Sequence, residues 1–236
     1  MIWGVICSFV SSVGSAISSA VSSIGGALSS FASTIAPVLG NIIDAIKPIA
    51  EAIVRFANNF LQALGILKQD EQVEDLGERA LQAAQADITL DKFEDFDEYM
   101  DALRNFELDP EVAAKRSTAE KLVAGLGIGT IGVEDKFNAE RGSLNGLWLL
   151  AMANPDYFTP ERMTSLVSTG RLGGDIYAYL EQRLSGGESS RFAKTLGAGM
   201  NETDLGTLYG ALDSAREHWA EIAKQVEAQN NPSQES

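Results

Sequence analysis

The chain has 236 residues, of which 18 are Lys or Arg and 33 are Asp or Glu, and its formal net charge is −15. This acidic balance argues against direct nucleic-acid binding, because phosphate contacts need clustered basic side chains. The single cysteine, Cys7, excludes an intrachain disulfide, and the single histidine, His218, excludes a histidine-based metal cluster.

The charges are distributed unevenly along the chain. No Asp, Glu, Lys, Arg or His occurs before Asp44, so the net charge belongs to the remainder. Large apolar residues in the uncharged segment recur every seven positions, the pattern of helices packed side by side. The pattern predicts self-association or membrane contact through Val10, Ile17, Val21, Ile24, Leu28, Phe31, Ile35, Val38 and Ile42. Ile2 and Trp3 predict an interfacial or partner-facing tip at the N-terminus.

The residues that flank this heptad pattern are Ser, Ala and Gly instead of the usual Glu and Lys. Ser and Gly are poor helix formers, so an isolated helix of this composition would not persist in water. Three environments would stabilise it: a bundle of several copies, the lumen of a larger tube or ring, and a bilayer entered transiently. A flexible linker is disfavoured, because linkers do not keep a strict seven-residue spacing.

Two prolines and a change of composition divide the chain. Pro37 and Pro48 predict breaks, because proline removes a backbone donor and clashes with the preceding turn. We therefore expect an all-α chain in which residues 1–68 form long heptad-patterned helices, kinked near 37 and 48, in an oligomeric bundle. Residues 69–229 are expected to form a compact, acidic, multi-helix domain, and residues 230–236 a polar tail.

Several helix starts in the acidic half can be predicted from capping residues. The signals are Ser117 with Glu120, Thr159 before Pro160, Asp175 for a helix ending at Leu184, and Asn201 or Thr203 for the last helix. The hydrophobic stretch around Trp148 predicts a core helix. The best strand candidate, residues 127–133, is weakened by its glycines, so the predicted class stays all-α.

No motif predicts catalysis, a cofactor or a metal. Residues 127–132 match G-x-G-x-x-G by letter, but the residues before them look helical, and a dinucleotide site needs a strand there. The motif therefore favours a glycine-rich connection or close helix packing. The acidic run at 94–101 lacks the glycine and spacing of a calcium loop and predicts a solvated helix face. His218 lies in a predicted surface helix without a partner for catalysis nearby in sequence.

The opening SSVGSAISSAVSSIGGALSSFASTI resembles the Gly/Ser-punctuated apolar starts of virion proteins from tailed bacteriophages, which include internal, tail-lumen and ejection proteins. The resemblance covers the first third of the chain. It implies a non-enzymatic structural role in the tail, baseplate or capsid interior, with further copies and other virion proteins as partners. The alternative that it leaves open is a membrane-active ejection or pore-forming protein that enters the host envelope. No catalytic residue or cofactor transfers with it.

Overall fold

A computed structural model describes residues 12–230, and over this range the regular secondary structure consists of helices without a strand. The N-terminal part contains four helices: α1 (Ser12–Ser22), α2 (Ser29–Thr34), α3 (Ala36–Ala45) and α4 (Lys47–Ala63). A 3-10 turn, Gly26–Leu28, precedes α2. Pro37 and Pro48 occupy the first turns of α3 and α4, where a missing backbone N–H costs nothing. The heptad-patterned segment is thus divided into short helices in this conformation.

The middle of the chain forms α5 (Val73–Gln85), α6 (Phe96–Asn105), α7 (Pro110–Lys115) and α8 (Thr118–Lys136), with a 3-10 turn at Leu90–Lys92. The predicted capping box of α8 is confirmed: Glu120 N–H donates to the Ser117 hydroxyl, and the Glu120 carboxylate accepts from Ser117 N–H. Residues 127–133, the best strand candidate, lie inside this helix. A helix that is apolar on all sides gives no amphipathic signal, which explains the ambiguity.

Helix α8 is the centre of the fold. Nearly every residue from Leu122 to Glu134 is buried, and helices α1, α3, α4, α5 and α6 pack around it. Its glycines permit very close approach to α5. A Cβ atom built on Gly77 of α5 would lie 1.9 Å from the Lys121 carbonyl oxygen, and one on Gly125 would lie 1.9 Å from the Val73 carbonyl oxygen. The glycines of the 127–132 motif also pack closely: a Cβ atom on Gly129 would lie 2.8 Å from the Leu61 side chain of α4, and one on Gly132 would lie 2.8 Å from the Phe96 ring of α6. Of the two alternatives for this motif, a glycine-rich connection and close helix packing, the structure shows helix packing.

The last part of the chain forms α9 (Leu147–Ala153), α10 (Pro160–Ser168), α11 (Ile176–Leu180), α12 (Gly186–Leu196) and α13 (Glu202–Asn230). Thr159 caps α10 and Asp175 caps α11, as predicted. The helix from Asp175 ends at Leu180 and not at Leu184, because Gln182 adopts a left-handed backbone conformation (φ 55°). Asn201 accepts a hydrogen bond from Asp204 N–H at the start of α13.

One hydrophobic core extends across the expected boundary near residue 68. It includes Phe60 of α4, Trp148 of α9 and Trp219 of α13. The Trp148 indole meets the Phe60 ring edge-on at a centroid distance of 6.0 Å, and its Nε1–H donates to the Thr130 hydroxyl of α8. The prediction of a core helix at Trp148 is confirmed, since α9 is buried over its whole length.

Candidate interaction surface

The heptad side chains that the sequence singles out lie inside the folded chain. In the described part, these residues are at most 4% exposed: Ile17, Val21, Ile24, Leu28, Phe31, Ile35, Val38 and Ile42. Val10, Ile2, Trp3 and Cys7 lie outside the described residues, as does most of the predicted polar tail. We call the first six of these buried side chains, Ile17 to Ile35, the seam.

Glycines bring the seam into close contact with its neighbours. Helix α1 lies against α3, where a Cβ atom on Gly40 would come within 2.4 Å of the Ile17 side chain. Further along, Leu28 and Phe31 pack on α8, and a Cβ atom on Gly127 would lie 3.2 Å from each of them. The burial that the heptad pattern predicts is therefore supplied, in this structure, by α3 and α8 of the same chain.

The outward face of α1 and α2 is uncharged and made of small residues. Exposed positions include Ser12, Ser15, Ala16, Ser19, Ser22, Ser29, Ser30 and Ser33. Several hydroxyls bond to the backbone of their own helix or of a neighbouring one: Ser18 donates to the Ala32 carbonyl at 2.6 Å, and Thr34 donates to the Ser30 carbonyl at 2.7 Å. These hydroxyls need fewer hydrogen bonds from water because the backbone already accepts from them. The face is therefore polar but uncharged, and less dependent on solvation than free hydroxyls would be.

A short loop from the acidic half holds the break between α1 and α2. Gly26 N–H donates to the Asp91 carboxylate at 2.6 Å, and Ala27 N–H donates to its other oxygen at 3.4 Å. Leu90 N–H donates to the Ile24 carbonyl at 3.0 Å. We call these three bonds the clasp. No local sequence pattern predicts that Asp91 and Leu90 bond to this break, although the Gly25-Gly26 pair is typical of a helix break.

A second polar connection joins α2 to the loop before α9. The Asn145 side-chain amide donates to the Ser30 hydroxyl at 3.0 Å. Beside it runs an open groove of about 640 Å³ between α2, α3 and the loops that flank α11. The Arg183 guanidinium lies over the Tyr177 ring there, 5.0 Å from its centroid, and burial raises the pKa of Tyr177 to about 12. Both side chains form part of the groove wall.

Two buried acids away from this surface bond helices to neighbouring loops. The Glu78 carboxylate of α5 accepts hydrogen bonds from Gln82 and from Arg116 Nε, the latter at 3.2 Å. Glu134 of α8 is fully buried and accepts from Leu144 N–H at 3.0 Å. Burial raises the Glu134 pKa, and the hydrogen bond from Leu144 acts in the opposite direction.

His218 and the acidic run, the polar groups singled out in the sequence, lie on helix surfaces or at a helix start. Nδ1 of His218 lies 2.9 Å from the Ala153 carbonyl oxygen on α9. In the acidic run, Asp95 caps α6, and Asp97, Glu98 and Asp101 are exposed on that helix. Among residues 12–230, no group of three or more His, Cys, Asp or Glu side chains is placed to hold a metal ion.

Within the same range, no single helix has the length and apolar composition needed to cross a membrane. One pair, Gly26–Thr34 with Ala36–Ala45, meets that test when its two parts are taken together across a 54° bend. By comparison with known proteins, no family model, curated protein or solved structure matches the chain.

Proposed function

We propose that this chain is a non-enzymatic assembly protein of the virion structural class that its N-terminal sequence resembles. It associates with further copies of itself through the uncharged N-terminal segment, and its acidic helices contact other virion proteins in the tail, baseplate or capsid interior. The observation that carries the proposal is an exposed, wholly uncharged face of small residues on a chain whose net charge is −15.

The charge distribution favours association through this segment. Two copies of an acidic chain repel each other over about 8–10 Å at physiological salt. Residues 12–43 contain no ionisable side chain, so contact there brings no two carboxylates together. The small Ser, Ala and Gly side chains of α1 and α2 also let a second backbone approach closely, as in tightly packed helix pairs.

Charge insertion on the exposed face tests the proposal. Ser19 is exposed on α1, so Ser19→Glu leaves the core intact but places an uncompensated charge in the expected interface, which is costly. Light scattering after size-exclusion chromatography should show concentration-dependent oligomers of the natural chain and monomers of the variant. Ser214→Glu, an equally exposed helical position on α13, is the matched control and should associate normally. A natural chain that stays monomeric at the highest soluble concentration refutes the proposal.

A second function is favoured by one observation, the apolar bent pair Gly26–Thr34 with Ala36–Ala45. In this alternative the N-terminal helices enter the host envelope during infection and form a pore. Dye release from vesicles of neutral and of anionic lipid measures it directly. Release by the natural chain, lost in Ser19→Glu and kept in Ser214→Glu, supports insertion. Intact vesicles together with oligomers in solution favour the assembly function.

A further inference from the structure

The heptad pattern keeps its phase across the breaks of the structure. Two series with a step of seven run through them: Ile17, Ile24, Phe31 and Val38, and Val21, Leu28, Ile35 and Ile42. Helix α1 ends at Ser22 and α2 begins at Ser29, so both series pass from one helix to the next. Separate short helices can each bury an apolar face without any fixed phase between them. A constant phase lets these residues share one face of a continuous helix. Residues 12–35 contain no proline that would break such a helix, whereas Pro37 and Pro48 follow.

The clasp bonds the backbone groups that such a helix would use. In a continuous α-helix, the N–H groups of Gly26 and Ala27 would donate to the carbonyls four residues earlier, and the Ile24 carbonyl would accept from four residues later. In the structure, Asp91 accepts from both N–H groups, and Leu90 donates to that carbonyl. Two residues of the acidic half thus replace three intrahelical partners at the break.

We propose that residues 12–35 have a second conformation, one continuous helix that presents the seam to further copies of this chain, and that the clasp holds the bent form. The inference rests on the proposed assembly function and specifies the seam as the surface through which the copies associate. The straight helix would have 24 residues and a length of about 36 Å. In a bundle of such helices, the seam faces the axis and the Ser, Ala and Gly flanks lie between neighbouring helices.

The heptad pattern favours further copies of this chain as the partner that covers the seam of the straight helix. The six seam side chains are almost completely buried in the bent form, so a lone chain cannot expose them without a large loss of hydrophobic stabilisation. The straight form therefore exists only where other copies bury the seam again. Seven-residue spacing matches helix-to-helix packing, whereas a bilayer would accept apolar residues at any position around the helix.

A reversible disulfide across α2 and the loop before α9 tests the inference. A Cβ atom built on Gly142 lies 3.7 Å from the Ser30 Cβ atom, within the range of about 3.5–4.5 Å that disulfides need. The variant carries Ser30→Cys and Gly142→Cys in a Cys7→Ser background. Oxidised, it should remain monomeric in light scattering; reduced with dithiothreitol, it should associate like Cys7→Ser. The two single-cysteine variants control for the loss of the Ser30 hydroxyl and for the left-handed backbone at Gly142 (φ 85°).

The outcomes separate this inference from the proposed function. Equal association of the oxidised and reduced forms overturns the straightening but leaves assembly through the exposed face. A monomeric natural chain overturns the assembly function itself. A third outcome is that the oxidised and reduced forms associate equally in solution but differ in dye release from vesicles. That result would mean that a bilayer, and not further copies of the chain, covers the seam of the straight helix.

Two variants that need no disulfide provide a second test. A Cβ atom on Gly25 would lie 3.1 Å from the Leu90 Cβ atom, so Gly25→Ala crowds the clasp while it favours a helix. The protein concentration at which half of the Gly25→Ala chains are associated should be about fivefold lower than for the natural chain, because alanine has the higher helix propensity. Asp91→Asn weakens the clasp and should act in the same direction. Gly206→Ala on α13 and Glu94→Gln in the same loop are the matched controls. Weaker association of both Gly25→Ala and Asp91→Asn, with the controls unchanged, overturns the inference.

Discussion

The contact between α5 and α8 depends on having no side chain at Gly77. In Gly77→Ala, the added Cβ atom would lie 1.9 Å from the Lys121 carbonyl oxygen and 2.6 Å from the Gly125 amide nitrogen. The shortest favourable carbon–oxygen contacts are about 3.3 Å long. The backbones of α5 and α8 must therefore move apart locally by about 1.4 Å, the difference between this distance and 1.9 Å. Both neighbouring atoms belong to the backbone of a helix and cannot rotate away as a side chain could.

The cost follows from this separation. A gap of about 1 Å forfeits a quarter to a half of each dispersion contact across the interface, which includes the packing of Val73 against Gly125 of α8. Overpacking typically costs about 1–3 kcal/mol, and contact with two rigid backbone atoms places Gly77→Ala at the upper end of this range. Alanine returns about 1 kcal/mol through its higher helix propensity. We therefore expect Gly77→Ala to lower the free energy of unfolding by about 2 kcal/mol.

Urea denaturation followed by circular dichroism measures this loss. Gly206→Ala is the matched control, because nothing lies within 4 Å of a Cβ atom at that position of α13. The control should gain up to about 1 kcal/mol, so the two substitutions are expected to have opposite signs. A Gly77→Ala variant with an unchanged or higher urea midpoint at the same slope would refute the close backbone contact on which the α5–α8 packing rests.

Two further predictions concern polar groups buried around α8. Because burial raises the Glu134 pKa, the stabilisation from its neutral form is complete below the ordinary value of 4.5 and is lost as the pH rises through the higher value of the folded chain. Glu134→Gln keeps an acceptor for Leu144 N–H but does not ionise, so the stability of this variant relative to the natural chain should increase from pH 4 to pH 7. If the urea midpoints of the two proteins differ by a constant amount across this range, the prediction is wrong. Thr130→Val leaves the buried Trp148 indole N–H without its acceptor and should cost about 1–3 kcal/mol. The exposed Thr207→Val on α13 is its control and should change stability by less than about 0.5 kcal/mol; an equal effect of the two would exclude a role for the indole bond.

The helix starts were predictable where a side chain caps the helix locally. Ser117, Thr159 and Asp175 act within three residues of their own position, so the sequence contains the whole interaction. The end of α11 was not predictable, because nothing near Gln182 in sequence requires its left-handed backbone. Helix α8 was ambiguous for another reason: a helix buried on all sides shows no polar face by which to recognise its period.

The heptad pattern predicted which side chains leave water, and the structure identifies what covers them in this conformation. Burial of Ile17, Val21 and Leu28 follows from their spacing, which is a local property of the chain. The contacts of Ile17 with Gly40 and of Leu28 with Gly127 join residues more than 20 positions apart, which no short-range pattern contains. The clasp is of the same kind, since Asp91 reaches back across 65 positions to Gly26.

The relative sizes of these interactions decide what controls the N-terminal segment. Burying the six seam side chains contributes about 2 kcal/mol each, about 12 kcal/mol together. The three clasp bonds contribute about 1 kcal/mol each, or somewhat more for those to the Asp91 carboxylate. In the proposed straight form, further copies would bury the seam instead, so this large contribution cancels between the two forms to the extent that the covering is equal. The clasp, offset by the intrahelical hydrogen bonds that would replace it, then sets the balance at a given concentration of copies. The clasp and the local concentration of copies together should therefore determine whether residues 12–35 are bent or straight.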